Sequence, residues 1–254
     1  MNTHLYIPDV QMKPGVPIAH LVAASNFIAE VQPEVIVCAG DFADMPSLSG
    51  YDIGKRSFEG RRYKDDIESS IIGMEVLLAG MNRLNRLRKR DKKKLYKPRM
   101  VLTLGNHENR IDRATNNDPK LHGTIGVDDL CYREFGWEVV PYLKPIIIDN
   151  IAYSHYFYNK LTGRPWPNAR TTMLREHMSC TAAHQQQLEV EVQYRGDGKP
   201  TISVVAGAYY LHDEDYKGEA GNQHWRGLIY KTNVNDGFYD LNAMSIDSML
   251  KNWL

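Results

Sequence analysis

The amino-terminal part of the chain alternates short apolar runs with one amphipathic stretch. Residues 4–7 and 35–39 are the apolar runs, and the second contains no polar side chain. An all-apolar run of this length is typical of a strand in a sheet that is covered on both faces. Between them, residues 17–31 place apolar side chains at helical spacing after Pro17, which the first turn of a helix tolerates. The order strand, helix, strand predicts a right-handed crossover in an α/β layer.

A long segment, residues 45–98, separates this unit from the next apolar strand at residues 100–104. Its first part, residues 45–62, is loop-like and mixed in charge. Residues 63–95 place apolar side chains at helical spacing and predict a long helix. We expect residues 45–98 to be a helical insertion in one domain that spans residues 1–254.

The carboxyl-terminal half predicts short strands joined by turns. Residues 195–198 read Arg-Gly-Asp-Gly, and Asp236 precedes Gly237, both of which are hairpin turn signals. Strands are predicted at residues 137–140, 145–148, 151–154, 188–194, 201–206, 228–234 and 238–244. Crossover units followed by hairpins predict an α/β fold, a four-layer α-β-β-α sandwich of two mixed sheets.

Composition and charge narrow the class of protein. The 254 residues are 43% hydrophobic and 24% charged with a formal net charge of zero, so the whole molecule has no long-range attraction for nucleic acid. No apolar run approaches the ~20 residues of a membrane span, and residues 1–9 lack the features of a signal peptide. Three scattered cysteines form no metal or disulfide pattern. We therefore expect a cytoplasmic protein that binds no membrane.

One local cluster of charge stands out at the end of the predicted long helix, within residues 83–99. It contains one acid, Asp91, and ten basic residues: Arg83, Arg86, Arg88, Lys89, Arg90, Lys92, Lys93, Lys94, Lys97 and Arg99. The stretch is either the solvated end of a helix or a track for the phosphate backbone of DNA or RNA. The arginines at 56, 61 and 62 could add to such a track.

Loops after three predicted strands begin with side chains of the types that bind metals. Because loops from the carboxyl ends of strands converge at one edge of an α/β sheet, we expect these side chains to lie together. The three groups are Asp9 and Gln11; Asp41 and Asp44; and Asn106, His107 and Glu108. Two later segments, Ser154-His155 and Ala183-His184-Gln185-Gln186, continue the series.

In this order the motifs resemble those of the calcineurin-like metallophosphoesterase superfamily: D-x-H, G-D-x-x-D, G-N-H-[DE], a lone His and G-H-x-H. The resemblance spans residues 5–186 and implies that family's fold, a β-sandwich flanked by helices. It also implies hydrolysis of phosphomonoesters or phosphodiesters at two divalent metal ions. Residues 50–62 also look like those of uncharacterised phage and prophage phosphoesterases, which would place the protein in a phage-infected host cell.

The resemblance assigns metal ligands position by position. Asp41 would bridge two cations, and Asn106, His155 and His184 would complete one site. Imidazole ligands suit zinc, iron or manganese.

The other site departs from the family. Gln11 stands for the histidine of D-x-H, and Gln186 stands for the last histidine of G-H-x-H. With Asp9 and Asp41, this site would offer only oxygen ligands, which prefer hard ions such as magnesium, manganese or calcium. We expect an asymmetric pair of ions, one firmly held and one exchangeable. The alternative is that this site is inactive and the protein is a catalytically weak metal-binding scaffold.

The resemblance also assigns catalytic roles. His107 would protonate the leaving oxygen and Asp44 would orient it, while Glu108 would support the loop. Arg110 and Arg113 could contact phosphate, although solvated helix charges are an equal alternative.

A strand that follows the last motif in the family leads back towards the active site. Tyr209, Tyr210 or His212 could therefore line the substrate pocket; the alternative is an acidic, solvated loop.

Together these features predict a metallophosphoesterase, and within that class a phosphodiesterase or nuclease. Phosphoprotein phosphatases carry G-D-x-V-D-R-G, whereas Asp44 is followed here by Met45 and Pro46. The preference for a nuclease depends on the basic stretch and the phage-type resemblance. The alternatives are a small-molecule phosphomonoesterase or a cyclic-nucleotide phosphodiesterase.

Overall fold

Two mixed β-sheets pack face to face in the computed structural model, which describes residues 2–214 and 224–254. The strands are β1 (Asn2–Ile7), β2 (Val35–Cys38), β3 (Arg99–Thr103), β4 (Glu138–Val140), β5 (Ile146–Ile148), β6 (Ile151–Tyr153), β7 (Ser179–Ala182), β8 (Glu189–Tyr194), β9 (Pro200–Val205), β10 (Gly227–Asn235) and β11 (Phe238–Ser245). The first sheet has the order β11-β10-β1-β2-β3-β4 and the second β5-β6-β7-β9-β8. In the first, β1 to β4 run parallel and the β10–β11 hairpin runs antiparallel to β1.

Helices cover both outer faces of this pair of sheets. In the described residues they are α1 (Ala19–Val31), α2 (Tyr63–Arg90), α3 (Asn109–Asn117), α4 (Ala169–Glu176) and α5 (Ile246–Trp253). Residues of α1, α2 and α5 share one core with the first sheet, and α4 packs against β7, β8 and β9 of the second. The predicted four-layer α-β-β-α sandwich is confirmed.

Strand β1 shows why the sequence folds into layers. Leu5 and Ile7 point into the core beneath the helices, whereas Tyr6 points into the core between the sheets. Successive side chains of a strand alternate between its faces, so a run without polar residues can be buried on both sides. Residues 35–39 alternate in the same way, with Ile36 and Cys38 in the first core and Val35, Val37 and Ala39 in the second, which confirms the prediction of a sheet that is covered on both faces.

Helix α2 crosses α1 at a close contact between Gly80 and Ser25. The Gly80 N–H donates to Ser25 Oγ at 2.7 Å, and a Cβ on Gly80 would lie 2.2 Å from the Ser25 carbonyl oxygen. The prediction that this helix continues to residue 95 is wrong, because it ends at Arg90. Lys92 then adopts a left-handed backbone (φ 54°), which turns the chain towards β3.

The basic end of α2 lies at the amino ends of the parallel strands. Arg88 Nη2 donates to Gln32 Oε1 at 2.6 Å, and the Tyr96 hydroxyl donates to the Pro33 carbonyl at 2.6 Å, just before β2. With 28 residues at ~1.5 Å each, α2 is roughly 40 Å long. The basic stretch and the carboxyl ends of the strands are therefore at opposite edges of the first sheet.

In residues 2–214 and 224–254, no helix has both the length and the apolar character that crossing a bilayer requires. Cys38, Cys131 and Cys180 are free thiols.

Candidate metal centre

The loops that follow β1, β2 and β3 meet at the carboxyl edge of the first sheet. The Gln11 N–H donates to the Asp41 carbonyl at 2.8 Å, which ties the first loop to the second. The His107 N–H donates to Asp41 Oδ1 at 2.8 Å, which ties the second to the third. A Cβ on Gly105 would lie 2.1 Å from Asp41 Oδ1, so only glycine permits this approach. The expected convergence of the three loops is confirmed.

The buried carboxylate of Glu108 holds the second and third loops together. It accepts hydrogen bonds from the Tyr132 hydroxyl and from four backbone N–H groups, those of Asp41, Phe42, Ala43 and Gly105. An acceptor shared by both loops fixes the direction in which Asp41 points. Glu108 therefore supports the loops, as expected from the sequence.

Three side chains present potential metal-binding atoms to one point. Asp41, His155 and His184 each offer one such atom, and these atoms lie within 4.8 Å of one another. His155 Nδ1 donates to the Ala39 carbonyl at 2.9 Å, which leaves Nε2 facing Asn106 Oδ1 at 2.9 Å and Asp41 Oδ2 at 3.3 Å. A histidine oriented by a backbone carbonyl through its other nitrogen is the usual arrangement of a metal ligand. The residues therefore fit a divalent ion with mixed nitrogen and oxygen ligands.

The charges of this cluster are strongly coupled. Burial raises the pKa of Asp41, but the imidazoles of His107 and His155 outweigh it and hold that pKa well below its usual range. Burial lowers the pKa of His155, but the Asp41 carboxylate outweighs it and raises the value to about 9. The Asp41 carboxylate is thus ionised, and the His155 imidazole beside it favours a proton. A divalent cation bound between them could take the place of that proton.

Asp9 has different surroundings. It is fully buried, its Oδ1 accepts from the His184 N–H at 3.2 Å, and its Oδ2 accepts from Gln186 Nε2 at 3.1 Å. Gln186 Oε1 accepts from the Tyr210 hydroxyl at 3.1 Å. Gln11 Oε1 is buried and has no hydrogen-bond partner among the described residues.

Several of these side chains are carried on strained backbone. Left-handed φ angles between 47° and 65° occur at five positions: Gln11, Asp41, Met45, His184 and Gln186. Non-glycine residues adopt this region infrequently, and such strain concentrates at functional sites.

A histidine–aspartate pair lies next to the cluster. His107 Nδ1 donates to Asp44 Oδ1 at 2.6 Å, and His107 Nε2 lies 3.2 Å from Arg110 Nη2 and 3.7 Å from Asp41 Oδ2. Burial lowers the pKa of His107, and the neighbouring carboxylates raise it above its usual value, whereas Arg110 opposes them. The raised pKa favours a protonated ring, and His107 lies at the edge of the cavity.

A network that the sequence analysis missed holds the other oxygen of Asp44. Lys13 Nζ lies 3.2 Å from Asp44 Oδ2 and donates to both oxygens of Glu214 at 2.7 and 2.8 Å. His212 Nε2 lies 2.7 Å from Glu214 Oε1, so His212 belongs to this network. Lys13, Asp44 and the pair His212 and Glu214 come from three distant parts of the chain, and no local pattern links the three parts.

The remaining predicted substrate contacts are placed as follows. Arg110 borders the cavity and donates to the carbonyls of Asp44 and Met45. Arg113 is exposed on α3 and does not line the cavity. The Tyr209 side chain lies in the core under the helices, where its hydroxyl donates to the His20 carbonyl at 2.8 Å.

A cavity of about 920 Å³ opens over the cluster. Its lining includes Asp41, Asn106, His107 and His184 together with residues from the segment 46–66. That segment contributes both signs of charge: Asp52, Lys55, Glu59, Arg61, Arg62, Asp65 and Asp66. The cavity is therefore bounded both by the cluster and by a charged segment that lies between β2 and α2 and extends into the first turn of α2.

Comparison with known proteins finds no matching family model and no matching curated protein. Among solved structures, wild-type Vps29 from Entamoeba histolytica complexed with Zn²⁺ has a TM-score of 0.40 and 11% identity, with 96% of this chain and 99% of that chain covered. A single mutant of the same protein gives 0.42 and 11%, and a double mutant gives 0.38 and 12%; both cover 96% of this chain and 98% of that chain. At these TM-scores the likeness is loose, and the fold is assigned from the sheets and helices of this chain.

Proposed function

We propose that this chain is a metal-dependent phosphoesterase whose ion is held by Asp41, Asn106, His155 and His184. One observation carries the proposal: a buried imidazole, oriented by the Ala39 carbonyl, faces the side-chain oxygens of Asp41 and Asn106 at the edge of a large cavity. Ligands of this kind favour manganese, zinc or iron over magnesium.

The chemistry follows from the neighbours of this cluster. A bound divalent ion would polarise a phosphoryl oxygen and lower the pKa of a coordinated water. Once protonated at Nε2, His107 would give that proton to the leaving oxygen as the ester P–O bond breaks and the water oxygen bonds to phosphorus. Asp44 fixes the ring through Nδ1, and Lys13 holds the second oxygen of Asp44.

The size of the cavity and the position of the basic stretch bear on the substrate. About 920 Å³ lies within the range of small-molecule sites, enough for a ligand of nucleotide size. The basic stretch at residues 83–99 lies at the opposite edge of the sheet. We therefore propose a phosphodiester in a small molecule or at a nucleic-acid end, rather than a duplex bound along the basic stretch.

The test is turnover of bis-p-nitrophenyl phosphate and p-nitrophenyl phosphate with manganese, magnesium or EDTA. We expect manganese-dependent hydrolysis of the diester, lost in EDTA and in His184→Ala, and retained in His122→Ala, which changes an exposed histidine. Turnover of the monoester alone would favour a phosphomonoesterase. Metal binding without turnover of either ester would favour a scaffold, and full activity of His184→Ala would refute the assignment of the ion.

A further inference from the structure

The buried carboxylate of Asp9 already has protein hydrogen-bond donors on both oxygens. The His184 N–H donates to Oδ1 at 3.2 Å, and the Gln186 side-chain amide donates to Oδ2 at 3.1 Å. A carboxylate that is fully buried is costly unless such partners offset its charge. In this chain, the partners are N–H groups of the protein.

The orientation of the Gln186 amide follows from these neighbours. The NH₂ group of Gln186 donates to Asp9 Oδ2, so its carbonyl oxygen faces away from Asp9. That oxygen accepts from the Tyr210 hydroxyl at 3.1 Å. The Tyr210 ring is fully buried, stacks on His212 with centroids 4.6 Å apart, and lies 5.0 Å from the Arg226 guanidinium carbon. Gln186 is thus held with its N–H, not its oxygen, next to Asp9.

The neighbouring cluster provides the contrast. Asp41, His155 and His184 form the group of His, Cys, Asp or Glu side chains that could hold a metal in residues 2–214 and 224–254, and Asp9 is not a member of it. A second cation beside Asp9 would have to displace the Gln186 amide. The side chains left to bind it are Asp9, the shared Asp41 and Gln11 through its neutral Oε1, fewer than the six or more oxygens that hard ions prefer.

We propose that the centre binds one divalent ion per chain, because the Asp9–Gln186 hydrogen bond occupies the place where the sequence resemblance would put a second ion. This inference rests on the proposed function for the existence of the first ion. It differs from the expectation of an asymmetric pair of ions, because the Gln186 amide takes the place that the second ion would fill.

The experiment measures bound metal directly. The protein is treated with EDTA and dialysed to equilibrium against buffer that contains excess Mn²⁺, so that a weakly held ion is also counted, and bound metal is measured by mass spectrometry of metals and by electron paramagnetic resonance. We expect one Mn²⁺ per chain in the wild type, with the spectrum of an isolated ion, and none in His184→Ala. The double variant Gln11→His/Gln186→His brings two imidazoles beside Asp9, and we expect two Mn²⁺ per chain with a spin-coupled spectrum. Gln193→His, on β8 and away from the cavity, is the matched control and should bind one.

The outcomes separate the two proposals. Two ions bound per wild-type chain, even with one of them held weakly, would overturn the inference and leave the proposed function intact. No bound ion would overturn both. If the double variant is folded, with an unchanged melting temperature, and still binds one ion, Gln186 does not exclude the second ion and the inference fails. One ion that His184→Ala retains would mean that the ion lies elsewhere, which also overturns it.

Discussion

Replacing Glu108 with glutamine tests whether one buried carboxylate holds the loops of the centre together. The change keeps the shape of the side chain but turns one oxygen into an NH₂ group. Oε1 accepts three hydrogen bonds, and Oε2 accepts two, from the backbone N–H groups of Asp41 and Gly105 at 2.8 and 2.9 Å. In its better orientation, glutamine keeps its oxygen towards the three donors and turns its NH₂ against the other two.

The expected loss of stability follows from the two backbone N–H groups that lose their acceptor. Each buried N–H left without a partner costs about 1–3 kcal/mol, so Glu108→Gln should lower the free energy of unfolding by about 2–6 kcal/mol. That is a large fraction of the roughly 5–15 kcal/mol typical of a folded domain. The affinity for Mn²⁺ should fall as well, because the Asp41 loop loses its support.

Urea unfolding followed by circular dichroism measures this change. Glu68→Gln, at an exposed position of α2, is the matched control and should shift the free energy by less than about 0.5 kcal/mol. If Glu108→Gln unfolds at the same urea concentration as the control and binds Mn²⁺ equally well, the carboxylate does not organise the loops.

Changes at Gly105, at Lys231 and at the lysines of residues 92–94 affect three other parts of the structure. Gly105→Ala would put a methyl group 2.1 Å from Asp41 Oδ1, so we expect loss of Mn²⁺ binding in a calorimetric titration; normal binding would contradict the close approach. Burial lowers the pKa of Lys231 well below its usual value, so the unfolded chain binds a proton there that the folded chain does not, and stability rises with pH up to about 10.4. Lys231→Met removes this proton, so the free energy of unfolding of the variant minus that of the wild type should be larger at pH 7 than at pH 9.5, by up to about 1.4 kcal/mol per pH unit. Urea unfolding at the two pH values measures this difference, and a difference that does not change with pH would refute the assignment. Reversing the charge of the three lysines at residues 92–94 should leave the rate of diester hydrolysis unchanged, since they lie at the far edge of the sheet; a severalfold loss would contradict that placement.

The sequence predicted the parts of the fold in which local pattern and burial agree. The apolar runs of β1, β2 and β3 and the Asp236-Gly237 turn between β10 and β11 are placed as expected, within a residue or two. Strand β7 was missed, because Ser179–Ala182 consists of small and polar residues without alternation. Its polar groups are satisfied by distant partners; Ser179 Oγ, for example, donates to the Gly237 carbonyl at 2.6 Å.

In the candidate site, the residues at strand ends could be predicted from the sequence, whereas the contacts between distant residues could not. Strand-end motifs identified Asp41, Asn106 and His107, because parallel strands bring their carboxyl ends to one edge. The orientation of the Gln186 amide depends on Tyr210, which no spacing rule connects to it. The contact between Lys13 and Glu214 joins residues 201 positions apart, and only the folded chain brings them together.

Anomalous diffraction from a crystal soaked in Mn²⁺ locates the ion instead of counting it. We expect one strong peak enclosed by the side chains of Asp41, Asn106, His155 and His184, and none between Asp9 and Gln186. A map without a peak among those four side chains, at a Mn²⁺ concentration that supports hydrolysis, would contradict the account.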